Sequence, residues 1–150
     1  MNTSPEAVSQ IAEFEGLRLL PYNDIAGNAT IGVGHLLHLG PVQSTDVGLT
    51  RDQALSLFSL DLKTKSERFI TKYVKVPLQQ GQFDALSSFT FNLGCGTLLN
   101  LLSETGLNHG DYSKVPAEIL CYNKAHVDGK LVSVAGLDRR RQWEAEQWKI

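Results

Sequence analysis

Between residues 13 and 35 the chain reads EFEGLRLLPYNDIAGNATIGVGH, and three side chains within it could do chemistry together: Glu15, Asp24 and Thr30. A carboxyl that keeps its proton near neutral pH can act as a general acid, and a second one kept ionised can act as a base. Glycoside hydrolysis needs such a pair, one acid protonating the departing oxygen while the other activates water. A threonine hydroxyl on the strand that follows could hold that water.

The local pattern gives the two acids different surroundings. Ser4-Pro5-Glu6 marks a helix start, with serine at the cap, proline at the first position and an acid toward the positive end of the dipole. Gly16 marks the stop. Val8, Ile11, Ala12 and Glu15 fall at i, i+3, i+4 and i+7, which puts Glu15 on the core-facing stripe and Glu13 nearly opposite. A helix C-terminus and loss of water would both favour the protonated acid at Glu15. Asp24 sits in the polar turn YNDIAGN, where backbone N–H groups and water would keep it charged.

The elements that must carry these groups follow from punctuation and periodicity. From Leu17 to Leu37, Pro21, Asn23, Gly27, Asn28, Gly32 and Gly34 interrupt short apolar pieces such as ATIGV, which predicts a small antiparallel sheet. Thr50-x-x-Gln53 resembles a capping box, and Leu55, Phe58, Leu62 and Phe69 keep helical spacing through RDQALSLFSLDLKTKSERFITKYV, predicting a long helix broken before Pro77. QFDALSSFTFNLG, stopping at Gly94, VPAEILCYNKA, stopping after Asn123, and LDRRRQWEAEQWKI read as further helices, with a hairpin or loop at HVDGKLVS. The fold class is α+β, mostly helical. A single domain spans residues 1–150, with a sheet lobe over about 16–50, a long connecting helix, and a helical lobe over about 75–150 packed with helix 5–15.

Composition narrows the function classes. At 150 residues, 42% hydrophobic and 20% charged, the chain can bury its own core as one globular domain. A net charge of −2, with no Lys/Arg run before the RRR at 139–141, argues against a general nucleic-acid binder. MNTSPEAVSQ lacks the basic and apolar regions of a signal peptide, and no apolar run approaches the ~18 residues that span a bilayer. The expectation is synthesis in a cytoplasm without membrane insertion. Cys95 and Cys121 are too few and too far apart for a disulfide scaffold or a zinc site; two buried free thiols are the expectation, with a single bridge between them as the alternative.

The opening block resembles the signature of the phage-type lysozymes, the endolysins of glycoside hydrolase family 24. That signature is a Glu, eight residues, an Asp or Cys, five residues, and a Thr, in a frame like EGxRxxxYxDxxGxxTIGxGH. Glu15, Gly16, Arg18, Tyr22, Asp24, Gly27, Thr30, Ile31, Gly32, Gly34 and His35 match it at unbroken spacing. The resemblance continues through QFDALSSFTFNLGCG, LNHGDY, YNKA and GLDRRRQWEAE. It implies a lysozyme-like fold and hydrolysis of the β-1,4 bond between N-acetylmuramic acid and N-acetylglucosamine in peptidoglycan, with no metal or cofactor. Glu15 would be the general acid, and Asp24 would activate water with help from Thr30, inverting the anomeric carbon. Inversion calls for carboxyls roughly 6.5–9.5 Å apart.

Other matches imply supporting roles. Leu36, Phe91, Asn92, Tyr122 and Asn123 fall where family members contact the sugars, with tyrosine in place of the common tryptophan at 122. His35 would support the site structurally. An arginine from the last helix region would pair with the catalytic Glu, here Arg139, Arg140 or Arg141, of which Arg140 is the candidate carried forward; the alternative is that all three form ion pairs with Asp138, Glu144 or Glu146 on exposed helix faces. The implied setting is host lysis by a monomer that reaches the cell wall through a holin-type pore, without touching that pore. Two other readings are an effector lysozyme delivered by injection and an inactive module that grips peptidoglycan. Retention of all three catalytic residues argues against the second.

Overall fold

The computed structural model describes residues 1–149. Two compact units divide the chain: Pro5–Leu62 forms one, and Met1–Ser4 with the chain from Lys63 onward forms the other. The unit that holds the sheet also holds residues 5–15 and reaches to Leu62.

In the sheet unit, α1 (Pro5–Glu15) buries Ala7, Val8, Ile11 and Ala12, the stripe that the sequence spacing predicts. The chain then forms β1 (Arg18–Asn23), β2 (Ala29–Gly32) and β3 (His35–His38), an antiparallel sheet in that order. Gly27 at φ +80° and Gly34 at φ +64° make the two connecting turns, in a region that other residues rarely enter. All of β2 is buried, whereas both neighbouring strands are at least partly exposed. The register slips between Ala29 and Thr30: Ala29 faces His38 but Thr30 faces Leu36. α2 (Arg51–Leu62) starts on the predicted capping box, with Gln53 N–H donating to Thr50 Oγ1 (3.1 Å) and Thr50 N–H to Gln53 Oε1 (2.9 Å). Ala54, Phe58 and Leu62 form its buried face.

The long helix predicted from Arg51 is interrupted by a π-helical stretch, Lys63–Glu67, before α3 (Arg68–Tyr73). One extra residue per turn rotates the following side chains, and here it turns polar Ser66 and Glu67 inward. Both are satisfied: Ser66 Oγ donates to Ser87 O (2.7 Å), and Glu67 Oε1 accepts the Thr3 N–H (2.8 Å) and hydroxyl (2.7 Å).

In the helical unit, α4 (Gln80–Leu93) is buried from Gln82 to Thr90, so it forms the centre of the core rather than an amphipathic edge. Around it lie α5 (Cys95–Thr105), α6 (Val115–Leu120) and α7 (Ala135–Gln147). The cluster includes Phe83, Leu86, Phe89, Leu98, Leu101 and Ile119, each large buried side chain contributing roughly 1.5–3 kcal/mol. Gly81 permits the closest approach of α4 to the end of α7: a Cβ there would stand 2.5 Å from the Gln147 carbonyl oxygen.

Three sequence expectations need correction here. The sixth helix ends at Leu120 rather than after Asn123, because Lys124 enters a hairpin, β4 (Lys124–Val127) with β5 (Lys130–Ser133), turning on Asp128-Gly129. α5 was not predicted at all. Cys121 is exposed and Cys95 half-buried, both free, so they are not the pair of buried thiols expected. The final residue of the predicted closing helix segment, Ile150, lies outside the described residues.

Arg140 and Arg141 are not on an exposed face either. Both are buried on α7 beside fully buried Glu144: Arg141 Nε lies 2.8 Å from Glu144 Oε2, and Arg140 Nε 3.5 Å from Oε1. Ser88 of α4 donates its hydroxyl to Glu144 Oε1 and accepts from Arg140 Nε (3.0 Å). Burial pushes the Glu144 carboxyl from 4.5 up to about 7, outweighing Arg141, Ser88 and Arg140, which act in the other direction. The folded state then holds a proton that the unfolded chain releases in that interval. Stability from this group is full below about 4.5 and is lost as the pH rises through about 7. The thermal midpoint of the native chain should therefore fall between pH 4.5 and 8 relative to a Glu144→Gln variant, measured by calorimetry across that range. A difference independent of pH would contradict the assignment.

Candidate active site

Each predicted catalytic residue lies in the sheet unit. Glu15 is the last residue of α1, where Gly16 N–H closes the helix on Ala12 O (2.9 Å). Its position at the helix end is as read, but its burial is not: Glu15 is exposed, like Glu13. The apolar stripe ends at Ala12, and the chain leaves through Gly16 at φ +89°, so the last position of the stripe overhangs the packed face. Periodicity alone thus does not separate the two acids. Glu13 faces Arg51, 3.6 Å away.

Asp24 follows β1 directly and opens the turn to β2. Gly27 N–H donates to Asp24 O (2.9 Å), Asp24 N–H to Asn28 O (3.0 Å), and Asn28 N–H to Asp24 Oδ1 (2.9 Å). Among the described residues no protein donor reaches Asp24 Oδ2. Thr30 is buried on β2, opposite Tyr22 and Leu36, and donates its hydroxyl to the same Asn28 carbonyl (2.9 Å). The backbone of one residue therefore fixes both groups: the Asn28 carbonyl oxygen accepts from Asp24 N–H and Thr30 Oγ1, and the Asn28 N–H, on the preceding peptide, donates to the Asp24 carboxylate.

This arrangement has a chemical consequence. With its proton committed to Asn28, the Thr30 hydroxyl faces any bound water as an acceptor. Asp24 Oδ2 is an acceptor too, so a water shared by the two would donate both protons and keep a lone pair free for attack. Among the described residues no group of three or more His, Cys, Asp or Glu could hold a metal ion.

The supporting residues divide between the units. In the sheet unit, Arg18 stacks its guanidinium over Tyr22 at 4.4 Å, and His35 Nδ1 pairs with Asp61 Oδ2 at 2.9 Å, tying β3 to α2. Leu36 is exposed on β3, directly across from Thr30. In the helical unit, Phe91 and Asn92 end α4, where Asn92 Oδ1 accepts from Arg141 Nη2 (2.8 Å) and Lys65 Nζ lies 6.0 Å from the Phe91 ring. The Tyr122 ring meets Phe89 edge to face, 5.2 Å between centroids, and burial, then Glu118 and Glu104, push its phenol above the usual range. The Asn123 side-chain amide donates to Asp138 Oδ1 (2.6 Å) on α7, while its backbone carbonyl accepts Val134 N–H (3.0 Å), which closes the base of the hairpin. Arg140 is held by Ser88 and Glu144.

Sequence reasoning missed one participant: Asn28 read as turn punctuation, since nothing in its spacing marks a residue whose backbone serves two neighbours. Glu144 stood among the partners expected for the arginines, three residues after Arg141, but the pair is buried and not on an exposed face.

Comparison with known proteins fits this geometry. The phage lysozyme family model matches residues 12–144. The endolysin of Acyrthosiphon pisum secondary endosymbiont phage 1 is 37% identical over 146 residues, covering 96% of this chain and 95% of its own. Among solved structures, the endolysin from Escherichia coli O157:H7 phage FAHEc1 aligns with a TM-score of 0.80 at 32% identity, covering 99% of this chain and 93% of the other. The muramidase domain of SpmX from Asticaccaulis excentricus also aligns at 0.80, with 29% identity and 98% and 97% coverage. On these grounds, and with its signature residues grouped on one helix end and one hairpin, the chain belongs to the phage lysozyme family.

Proposed function

We propose that this lysozyme is an endolysin that hydrolyses the β-1,4 bond between N-acetylmuramic acid and N-acetylglucosamine in peptidoglycan, with inversion at the anomeric carbon. The observation that supports the reading is the pair of bonds to Asn28, whose carbonyl takes the Thr30 hydroxyl proton and whose N–H donates to Asp24 Oδ1; on this reading Asp24 Oδ2 and Thr30 Oγ1 serve as acceptors for one water. In the reaction, Glu15 gives its proton to the glycosidic oxygen as the C1–O bond breaks. The water held by Asp24 and Thr30 adds to C1 from the opposite face, and its proton passes to Asp24. Glu15 ends ionised and Asp24 protonated, and exchange with solvent resets both. Leu36, Phe91, Asn92, Tyr122 and Asn123 are the residues proposed to contact the sugars, with His35 and Arg140 supporting the site.

The roles separate by magnitude. With purified sacculi as substrate and new reducing ends as the readout, Glu15→Gln and Asp24→Asn should each lower the rate by about 100-fold or more, the usual range for positioned acids and bases. Thr30→Ala should lower it less, since Asp24 keeps one bond to the water. Wild-type rates in Glu15→Gln would remove that residue from the mechanism, and a wild-type chain that releases no reducing ends would leave only the binding-module reading.

Delivery is part of the same proposal. No helix among the described residues is long and apolar enough to cross a membrane. On this reading a monomer made in the host cytoplasm meets the wall only after a holin-type pore opens. Escherichia coli producing the protein in its cytoplasm should keep constant turbidity until chloroform permeabilises the inner membrane, then clear rapidly. Lysis without permeabilisation would contradict that route.

A further inference from the structure

The turn that presents Asp24 is held from outside as well as from within. After β3 the chain passes along this turn. There Val42 N–H donates to Asn23 Oδ1 (2.7 Å), Gly40 N–H donates to Asn28 Oδ1 (2.9 Å), and Ala29 N–H donates to Gly40 O (2.8 Å). Asn23 and Asn28 thus flank the Asp24–Gly27 turn, and each places its side-chain oxygen on the same strap. The Asn28 bond lies just beyond the register slip between Ala29 and Thr30, where regular strand pairing no longer fixes the β2–β3 spacing.

The strap is itself closed. His38 Nε2 lies 3.0 and 2.9 Å from the two carboxylate oxygens of Asp46, and His38 Nδ1 2.9 Å from Leu39 O. Both ring nitrogens face acceptors, so the doubly protonated imidazole suits them both. The Leu39 carbonyl first, then Asp46, hold its pKa above the ordinary value. Asp46 also accepts Gln43 N–H (2.7 Å), which fixes the start of the same loop.

We infer that Asn23 and Asn28 are positioning residues for hydrolysis: their side chains clamp the 40–42 strap to the turn and so set the spacing between the Asp24 carboxylate and the Thr30 hydroxyl. The inference rests on the reading that these two groups hold the attacking water. Its logic is mechanical. The backbone of residue 28 bonds to both groups, so any slip of that residue moves both, and its side chain is the tether that prevents the slip. A displacement of about 1 Å at a catalytic group can cost on the order of 100-fold in rate.

The test uses the full chain acting on soluble, uncross-linked glycan strands, with kcat and KM measured separately and the thermal midpoint recorded for each variant. Asn28→Ala should lower kcat roughly 10- to 100-fold with KM within about twofold, and Asn23→Ala should act in the same direction by less. Asn28→Asp and Asn23→Asp, which keep an acceptor for Gly40 and Val42, should recover most of kcat. A merely structural role would lower the midpoint and the amount of active enzyme without this split or this rescue, and would overturn the inference. If Asn28→Ala does not fold, Asn23→Ala and its Asp counterpart decide by the same criteria. Asp24→Asn, measured in parallel, separates the two claims. Full activity there overturns the role of Asp24, whereas loss there alongside wild-type kcat in both alanine variants overturns only the clamp.

Discussion

A single carbonyl oxygen, that of Asn28, is shared by the Asp24 amide and the Thr30 hydroxyl, and the chemistry of the sheet unit depends on it. Two groups on opposite sides of a four-residue turn would otherwise drift with the turn. Here both are referred to one peptide carbonyl, and the N–H of the same residue, on the preceding peptide, holds the Asp24 carboxylate. The glycine at 27 is what lets the chain reverse tightly enough for this sharing. The cost of such preorganisation falls on folding rather than on the reaction, which is where electrostatic catalysis places it.

The helical unit solves a different problem. α4 is buried on all sides, yet it carries Asp84, Ser87, Ser88 and Thr90, and α7 brings two arginines and a glutamate against it. The charged groups in such a core need partners, since removing one member of a buried ion pair typically costs about 3–5 kcal/mol, whereas the buried Thr90 hydroxyl has no hydrogen-bond partner among the described residues. Ser88 is the hinge of the arrangement: its hydroxyl serves Glu144 while its oxygen and carbonyl receive Arg140. Through Arg141 the same cluster reaches Asn92, so a side chain proposed to meet sugar is oriented by the core. At the other end of α4, Asp84 receives the Ser4 backbone and hydroxyl, and Ser87 meets Thr3.

Much of this was legible before any coordinates. α1 runs from Pro5 to Glu15 because its cap, proline and stop glycine are local signals, and the capping box at Thr50 is equally local. The trio proposed to be catalytic was read from its spacing and by resemblance. What escaped depends on contacts distant in sequence. The Leu98, Leu101, Leu102 and Thr105 face of α5 has helical spacing, but Gly94 and Gly96 mask its start. The π-helical stretch follows from the need to turn Ser66 and Glu67 toward Ser87 and Thr3, partners remote along the chain. α6 ends early because the 124–133 hairpin takes the residues beyond it. The burial expected of Glu15 failed for a simpler reason: periodicity tells which face a position shares, not whether that position is covered.

The central claim is that Asp24 and Thr30 hold a water that attacks the anomeric carbon directly, with no covalent glycosyl enzyme. Proton NMR of the reducing end formed in the first minutes of glycan-strand cleavage, before mutarotation, tests it most directly. The account predicts that the α-anomer of the new reducing sugar forms first from the β-linked substrate. Initial release of the β-anomer would contradict it.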